Sequence, residues 1–565
     1  MGTIKPINVL AVTILIYSIS ILLTTGCVIN KNQIEEQQSL ESISKDEMVS
    51  LVIKERIQGS NNLTRIKIGD EFVQLSDQLS RFYQLQNYKP VWIQNSTVVP
   101  QVYAFRDIIS KAENEGLKTT DYHLEEISTT LNLLANSQDS STIRNLADLD
   151  LILTDALLLY VSHLINGRID PEGVDFSWLK NQSTIDYTKL LSTGMDSNQL
   201  QITLDNLQKP EYRNLRKALI QYKIIQANGG WPYIPSGSKI ERGYRNERVK
   251  LLRQRLIISG DLGKDSPDNG NLYDDNLVNA VKNFQRRHGL DNDGIVGPST
   301  LEALNVPVDQ RIDQIKINME RYRWLPKDLG PRNIQVNIPG FQLRVIQNGK
   351  TIISMPVVVG KPYWNTPLFN AEMTYLILNP DWNIPRSIAL EETLPKIRTD
   401  GQYLTKRNIK VYRDWNSGEI DPATVDWSHF NESNFNLRFR QVPGPYNPLG
   451  RIKFLFPNPY NVYLHDTPLK HLFKKAQRNF SHGCIRVEDP LGLADFVLSQ
   501  ETGWTKEEIQ SQIKRGITQS IRLPEPIPVY LFYFTSWVED DGTIQFRKDI
   551  YGRDKELERV FRGVS

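Results

Sequence analysis

The feature that most constrains this chain is a change of hydrophobic period near Asn333. Before it, apolar residues recur at helical spacing. Leu146, Leu149, Leu153, Leu157, Tyr160, Val161 and Leu164 predict one long helix, with Gly167 as its stop and Pro171 just beyond. After it the period is two: Ile334, Val336 and Ile338 alternate with polar residues, and Leu343 and Val345 follow. Asn348-Gly349 then marks a hairpin turn into a strand over 352–359. Strand-like runs recur at 374–378, 452–456 and 462–465. A chain of 565 residues is too long for one hydrophobic core. The two patterns therefore predict a multidomain α+β protein: a helical scaffold, a small helical domain, and a β-rich domain with a helical insert.

The expected boundaries follow the composition. Residues 63–238 are mainly helical and assemble no catalytic chemistry. Residues 246–306 form a compact unit: Val249, Leu252 and Leu256 repeat helically up to Gly260, and Tyr273, Leu277, Ala280, Val281 and Phe284 make a second helix. Gln285-Arg286-Arg287-His288-Gly289-Leu290 and Asp293-Gly294-Ile295-Val296-Gly297 close it. A β-rich domain is expected over 330–525, with an aromatic-rich helical insert at 387–443 containing Tyr403, Tyr412, Trp415, Trp427, Phe430 and Phe435. Residues 526–565 are left as a C-terminal segment.

The N-terminus reads as an export signal. Lys5 precedes an uncharged apolar run over residues 7–23, followed by Thr24-Thr25-Gly26-Cys27. Residues 1–27 are thus a signal peptide or membrane anchor, either with Cys27 lipidated after cleavage or as an uncleaved span; both place the body outside the cytoplasmic membrane. Residues 28–62, polar and without aromatics, read as a linker. The apolar stretch 149–165 contains Asp150, Asp155 and His163, which predicts a buried helix in place of a second span. A net charge of +2 argues against a nucleic-acid partner held by bulk electrostatics.

Only two cysteines occur, Cys27 and Cys484, so Cys484 is expected as a free thiol. Its neighbours make it a candidate nucleophile. Such a thiol needs a base or cation that favours thiolate, donors for an oxyanion, and access to substrate. His465 ends a predicted strand from which its imidazole can face the thiol. Gly483 permits close approach and leaves its N–H available as a donor, while Arg486 can favour thiolate or hold a substrate carboxylate. Each has a structural reading too: a turn hydrogen bond for His482, an ion pair for Arg486, packing for Tyr463.

The segments Tyr463-Leu464-His465-Asp466-Thr467-Pro468 and Ser481-His482-Gly483-Cys484-Ile485-Arg486-Val487 closely resemble the signature of the L,D-transpeptidase catalytic domain. The resemblance extends to Asn379-Pro380-Asp381-Trp382-Asn383-Ile384-Pro385, to Thr366-Pro367 and to Gly444-Pro445-Tyr446-Asn447-Pro448-Leu449-Gly450-Arg451. Residues 246–306 resemble a small three-helix peptidoglycan-binding domain. Together they resemble the large Gram-negative class, whose insert caps the donor site. The resemblance implies Cys484 as nucleophile, His465 as general base, backbone N–H groups around Gly483 and Cys484 as oxyanion hole, and Ser481, His482, Arg486 and Tyr463 lining the site. It implies no metal or cofactor, and peptidoglycan stems as partners: a tetrapeptide donor and the side-chain amine of a diamino acid as acceptor. Hydrolysis of the same acyl-enzyme stays open, as do any wall-synthesis partners. The family often has Gly after the histidine, whereas this chain has Asp466, so the group that orients the imidazole is open.

Overall fold

A computed structural model describes residues 43–59, 66–68, 71–136, 141–174, 200–498 and 503–562. The expected signal or anchor at 1–27 lies outside them. Among the described residues no helix is long and apolar enough to cross a membrane. The chain divides into two compact units, 1–168 with 182–213, and 169–181 with 214–565.

The first unit is helical. Its long helix Ser141–Asn166 is buried nearly all round, and Gly167 ends it at φ +85°. The acidic residues within that apolar stretch fasten loops. Asp150 accepts the N–H groups of Val91 and Trp92 and the Tyr83 hydroxyl, while Asp155 accepts those of Gln74 and Leu75. A buried carboxylate is tolerated when several donors satisfy it, and here they replace the water that burial removed. The expected linker is corrected by this unit. Lys45–Gly59 is a helix whose Val49, Ile53 and Ile57 are buried in its core. Three apolar residues at i, i+4 and i+8 were hidden in a polar composition.

In the second unit, helices Glu247–Ile258, Asp275–Arg287 and Pro298–Leu304 form the expected three-helix module around Val249, Leu252, Leu256, Leu277, Val281 and Phe284. Asn246 and Asp274 cap the first two by accepting the N–H groups of Arg248 and Leu277. The helix Val308–Trp324 follows, and it joins the module to the β domain. Gln314 donates to the carbonyls of Thr535 and Arg547, and Asn318 exchanges two hydrogen bonds with Thr535. His288 stacks on Phe284 at 3.8 Å and on Phe546 at 5.5 Å, and Arg547 donates to the Arg287 carbonyl.

The β domain is built from β1 (Arg332–Asn337), β2 (Gln342–Gln347), β3 (Lys350–Gly360), β4 (Asn370–Leu378), β5 (Trp382–Ile384), β6 (Ile409–Tyr412), β7 (Glu419–Ile420), β8 (Arg438–Gln441), β9 (Ile452–Leu455), β10 (Leu464–His465), β11 (Asn479–Ser481), β12 (Ile485–Val487) and β13 (Gln519–Phe532). The large sheet runs β11-β3-β12-β10-β9-β4-β13-β1-β2, and β2 pairs again with β3. Eight strands therefore close on themselves and leave no free edge among them, with β11 added outside the ring on β3. Asn348 and Gly349, at φ +50° and +74°, make the tight β2–β3 turn. The 14-residue β13 pairs with both β4 and β1, so the sheet continues past the expected boundary at 525. Pro526 and Pro528 had masked it, and the register shift between Arg522 and Ile527 shows how they fit.

The insert carries short helices, such as Leu394–Thr399 and Tyr403–Lys406, together with a four-stranded antiparallel sheet ordered β7-β6-β8-β5. The sheet begins at Trp382, before the expected start at 387. One face packs Ile384, Ile409, Val411 and Phe439 against Leu394, Ile397, Leu404 and Phe435. Tyr412 and Trp415 lie apart from that core and flank the Arg440 guanidinium at 5.3 and 4.8 Å.

Candidate active site

Three neighbouring strands of the closed sheet, β9, β10 and β12, build the site by simple alternation. Their inward residues Ile452, Phe454, Leu464, Ile485 and Val487 are buried in the core. The intervening residues must then face the other way. Lys453 is paired with His465 across β9 and β10, and His465 with Arg486 across β10 and β12. One step back, the Ile485 N–H donates to the Tyr463 carbonyl, which brings Tyr463 level with Cys484. Lys453, Tyr463, His465, Cys484 and Arg486 thus gather on one face.

The turn Ser481-His482-Gly483-Cys484 is held from within and from behind. The Ser481 hydroxyl donates to the Cys484 carbonyl at 2.5 Å and accepts the Gly483 N–H at 3.2 Å. Gly483 has φ +109°, a conformation that favours glycine. Its carbonyl accepts the hydroxyl of the buried Thr366 at 2.8 Å, and that hydroxyl accepts the Gly360 N–H at 2.9 Å. Tyr551 completes the brace, accepting the Thr366 N–H and donating to the Gly360 carbonyl. The Gly483 N–H, expected to be available for an oxyanion, is therefore already engaged.

His465 is buried, and its Nδ1 lies 2.5 Å from the Asp466 carbonyl oxygen. A protonated Nδ1 donating there leaves Nε2 as the free acceptor. The Asp466 carboxylate points elsewhere. It accepts the Arg451 N–H at 2.8 Å and pairs with Lys470 at 2.9 Å, in space left by Gly450, where a Cβ would collide with it. Cys484 is half-buried, and its Sγ lies 3.8 Å from the Asn461 carbonyl oxygen. The Tyr463 ring meets the His465 ring edge-on at 5.7 Å, and the Lys453 ammonium sits 3.9 Å above the Tyr463 ring. His482 turns away from the thiol. Its Nε2 lies 2.7 Å from the Glu392 carboxylate of the insert, and its ring lies on Trp364 at 4.0 Å.

Comparison with known proteins gives this geometry a family. Residues 331–513 match the L,D-transpeptidase catalytic domain, residues 77–219 a scaffold domain, and residues 245–304 a family described as "Putative peptidoglycan binding domain". A Haemophilus influenzae protein named "Putative L,D-transpeptidase" is 34% identical over 345 residues, 59% of this chain and 69% of its own length. The chain belongs to the L,D-transpeptidase family. It is also similar to the N-acetylmuramoyl-L-alanine amidase CwlL of Bacillus licheniformis, 39% identical over 70 residues, 12% of this chain and 19% of that one. Among solved structures it is similar to an L,D-transpeptidase from Mycobacterium smegmatis at 14% identity, covering 36% of this chain and 58% of that one with a TM-score of 0.16. A score so low bears on nothing at the site.

In this L,D-transpeptidase the residues singled out by sequence fall into two groups. Cys484, His465, Tyr463 and Arg486 share the working face. Ser481, Gly483 and His482 shape the turn and link it to the insert. The sequence reading missed Lys453 and Glu392. Lys453 was legible as the polar member of Ile452-Lys453-Phe454, whereas Glu392 left no local signal because its partner is ninety residues away.

The electrostatics of the face are one-sided. Burial pushes the Cys484 thiol up, while Tyr463, backbone first, then Lys453 and Arg486 oppose that rise. Burial, then Arg486 and Lys453, pushes the His465 imidazole down to about 3, so it is neutral at neutral pH. A neutral imidazole on the same sheet face as a thiol can accept its proton once the two meet, and the flanking cations stabilise the thiolate that results.

Proposed function

We propose that this chain is a cysteine acyltransferase that forms 3→3 cross-links between peptidoglycan stems. Its catalytic and wall-binding domains both address peptidoglycan, the polymer of the cell envelope. The observation that carries the finer reading is the gathering of Cys484, Tyr463, His465 and Arg486 on one sheet face, with the imidazole oriented by a backbone carbonyl.

Cys484 gives its proton to His465 Nε2 and attacks the carbonyl of the third stem residue, at its L-centre. The amide N–H of Cys484 is a donor of the turn suited to the tetrahedral oxyanion. Collapse breaks the bond to the terminal D-alanine, whose nitrogen takes the proton from the imidazolium. The side-chain amine of a neighbouring stem then attacks the thioester, His465 removes its proton, and the thiolate leaves. Arg486 is suited to hold a donor carboxylate. The N-terminal segment anchors this machinery to a membrane on the periplasmic side, by lipid or by span.

The test is incubation of the full chain with disaccharide-tetrapeptide, read by mass spectrometry beside Cys484→Ala. A cross-linked dimer lacking one D-alanine, absent in the variant, supports transpeptidation. Tripeptide without dimer moves the reading to an L,D-carboxypeptidase. Equal products from both proteins would overturn the mechanism.

A further inference from the structure

The working face has an unusual charge balance. Two cations, Lys453 and Arg486, flank Cys484 and His465, and among the described residues neither forms an ion pair with a carboxylate. The nearby acids are committed elsewhere. Asp466 serves the Arg451 N–H and Lys470, and Glu392 lies against His482. An ammonium taken partly out of water without a counter-ion is costly unless something on the same face becomes negative. The Tyr463 ring meets part of that cost, with the ammonium at 3.9 Å from its centroid. The remaining candidate for a negative charge is the sulfur of Cys484, which lies level with that same tyrosine across β10 and β12.

We propose that Lys453 is a positioning residue for the acyl transfer: seated on the Tyr463 ring and level with His465, its ammonium is the charge that stabilises the Cys484 thiolate as it forms. The inference rests on Cys484 being the nucleophile. It divides the work between the two cations, with Lys453 serving the sulfur and Arg486 left to the substrate. It also assigns a task to Tyr463, which carries the charge on its ring face. The charged or titratable groups facing the sulfur are Lys453 from β9, Tyr463 and His465 from β10, and Arg486 from β12. Beyond them, Glu392 and Lys361 act on His482 and, for Glu392, on Arg486. Burial lowers the Lys453 ammonium, and the sulfur opposes that fall, so the two groups stabilise each other's charged form.

The test needs no substrate. The full chain is alkylated with iodoacetamide across a pH series, and the Cys484 peptide is followed by mass spectrometry, which separates it from Cys27. In Lys453→Met the midpoint of the alkylation profile is expected to rise by about one pH unit, with roughly tenfold slower alkylation at neutral pH. Lys453→Arg is expected to restore most of the shift. In transpeptidation, kcat falls while KM holds. Unchanged thermal unfolding shows that the fold is intact, and Lys453→Gln replaces the methionine variant if that one does not fold. An unmoved midpoint in a folded variant overturns the proposal. So does an equal rise in Lys453→Met and Lys453→Arg, because shape and not charge would then be at work. A shifted midpoint in a protein without transpeptidase products would leave this inference standing and remove the cross-linking reading.

Discussion

Asp466 follows His465 directly, and Asp466→Ala separates the two ways in which this residue can serve the imidazole. The imidazole is held by the backbone carbonyl of residue 466, which alanine keeps. The carboxylate instead accepts the Arg451 N–H at 2.8 Å and pairs with Lys470, whose side chain is 48% exposed. A hydrogen bond to a charged acceptor contributes about 1.5–3 kcal/mol. A half-exposed ion pair adds roughly 0–1 kcal/mol. The variant should therefore lose about 2–4 kcal/mol of stability. For a domain of this size, roughly 2–4 °C per kcal/mol, the melting temperature should fall by about 5–15 °C, measurable by calorimetry. Asp466→Asn keeps an oxygen for the Arg451 N–H and should lose roughly half as much. Turnover should fall by less than about tenfold in both, against the 10²–10⁴-fold expected when a general base is removed in His465→Ala. A collapse of kcat to the His465→Ala level with unchanged stability would refute this reasoning, because the carboxylate would then be acting on the imidazole directly.

Three further outcomes follow from the same geometry. Thr366→Val removes the hydroxyl that joins Gly360 to Gly483 and should cost about 1–3 kcal/mol of stability, with a fall in kcat exceeding any rise in KM, both read from unfolding and steady-state assays. Glu392→Gln releases the insert from His482; since both side chains are partly exposed, stability should change by less than about 1 kcal/mol, while KM for a stem donor rises several-fold. His465 is depressed in the folded chain from 6.5 to about 3, so the stability it contributes is complete above pH 6.5 and is lost as pH falls toward 3. Urea unfolding at successive pH values should show wild type losing up to about 1.4 kcal/mol more per pH unit in that window than His465→Asn.

What the sequence disclosed and what it withheld divide along contact range. Ser481 to Arg486 is one contiguous run, and His465 lies on the strand next to it, so their association could be anticipated from a short segment. The three-helix module was equally local, with its caps and apolar stripe in sixty residues. The sheet within the insert was not visible, because strands of two to four residues show too little alternation to register a period of two. The helix Lys45–Gly59 was hidden by polar composition around its Val49, Ile53 and Ile57. Thr366 and Tyr551 brace the Ser481–Cys484 turn from residues more than sixty positions away on either side, and no local pattern marks such a pairing. Asp466 was noticed as a departure from the usual glycine, but only the direction of its carboxylate tells which atom orients His465.

The seam between the three-helix module and the β domain has a consequence for how the enzyme meets its polymer. Gln314, Asn318, His288 and Arg547 join the two through hydrogen bonds and stacked rings, in place of a free tether. If the module grips a glycan strand, the thiol sits at a constant offset from the grip. Such an enzyme behaves as a caliper: it selects stems by their spacing along the polymer, and lengthening the seam would change which stems are joined before it changed how fast.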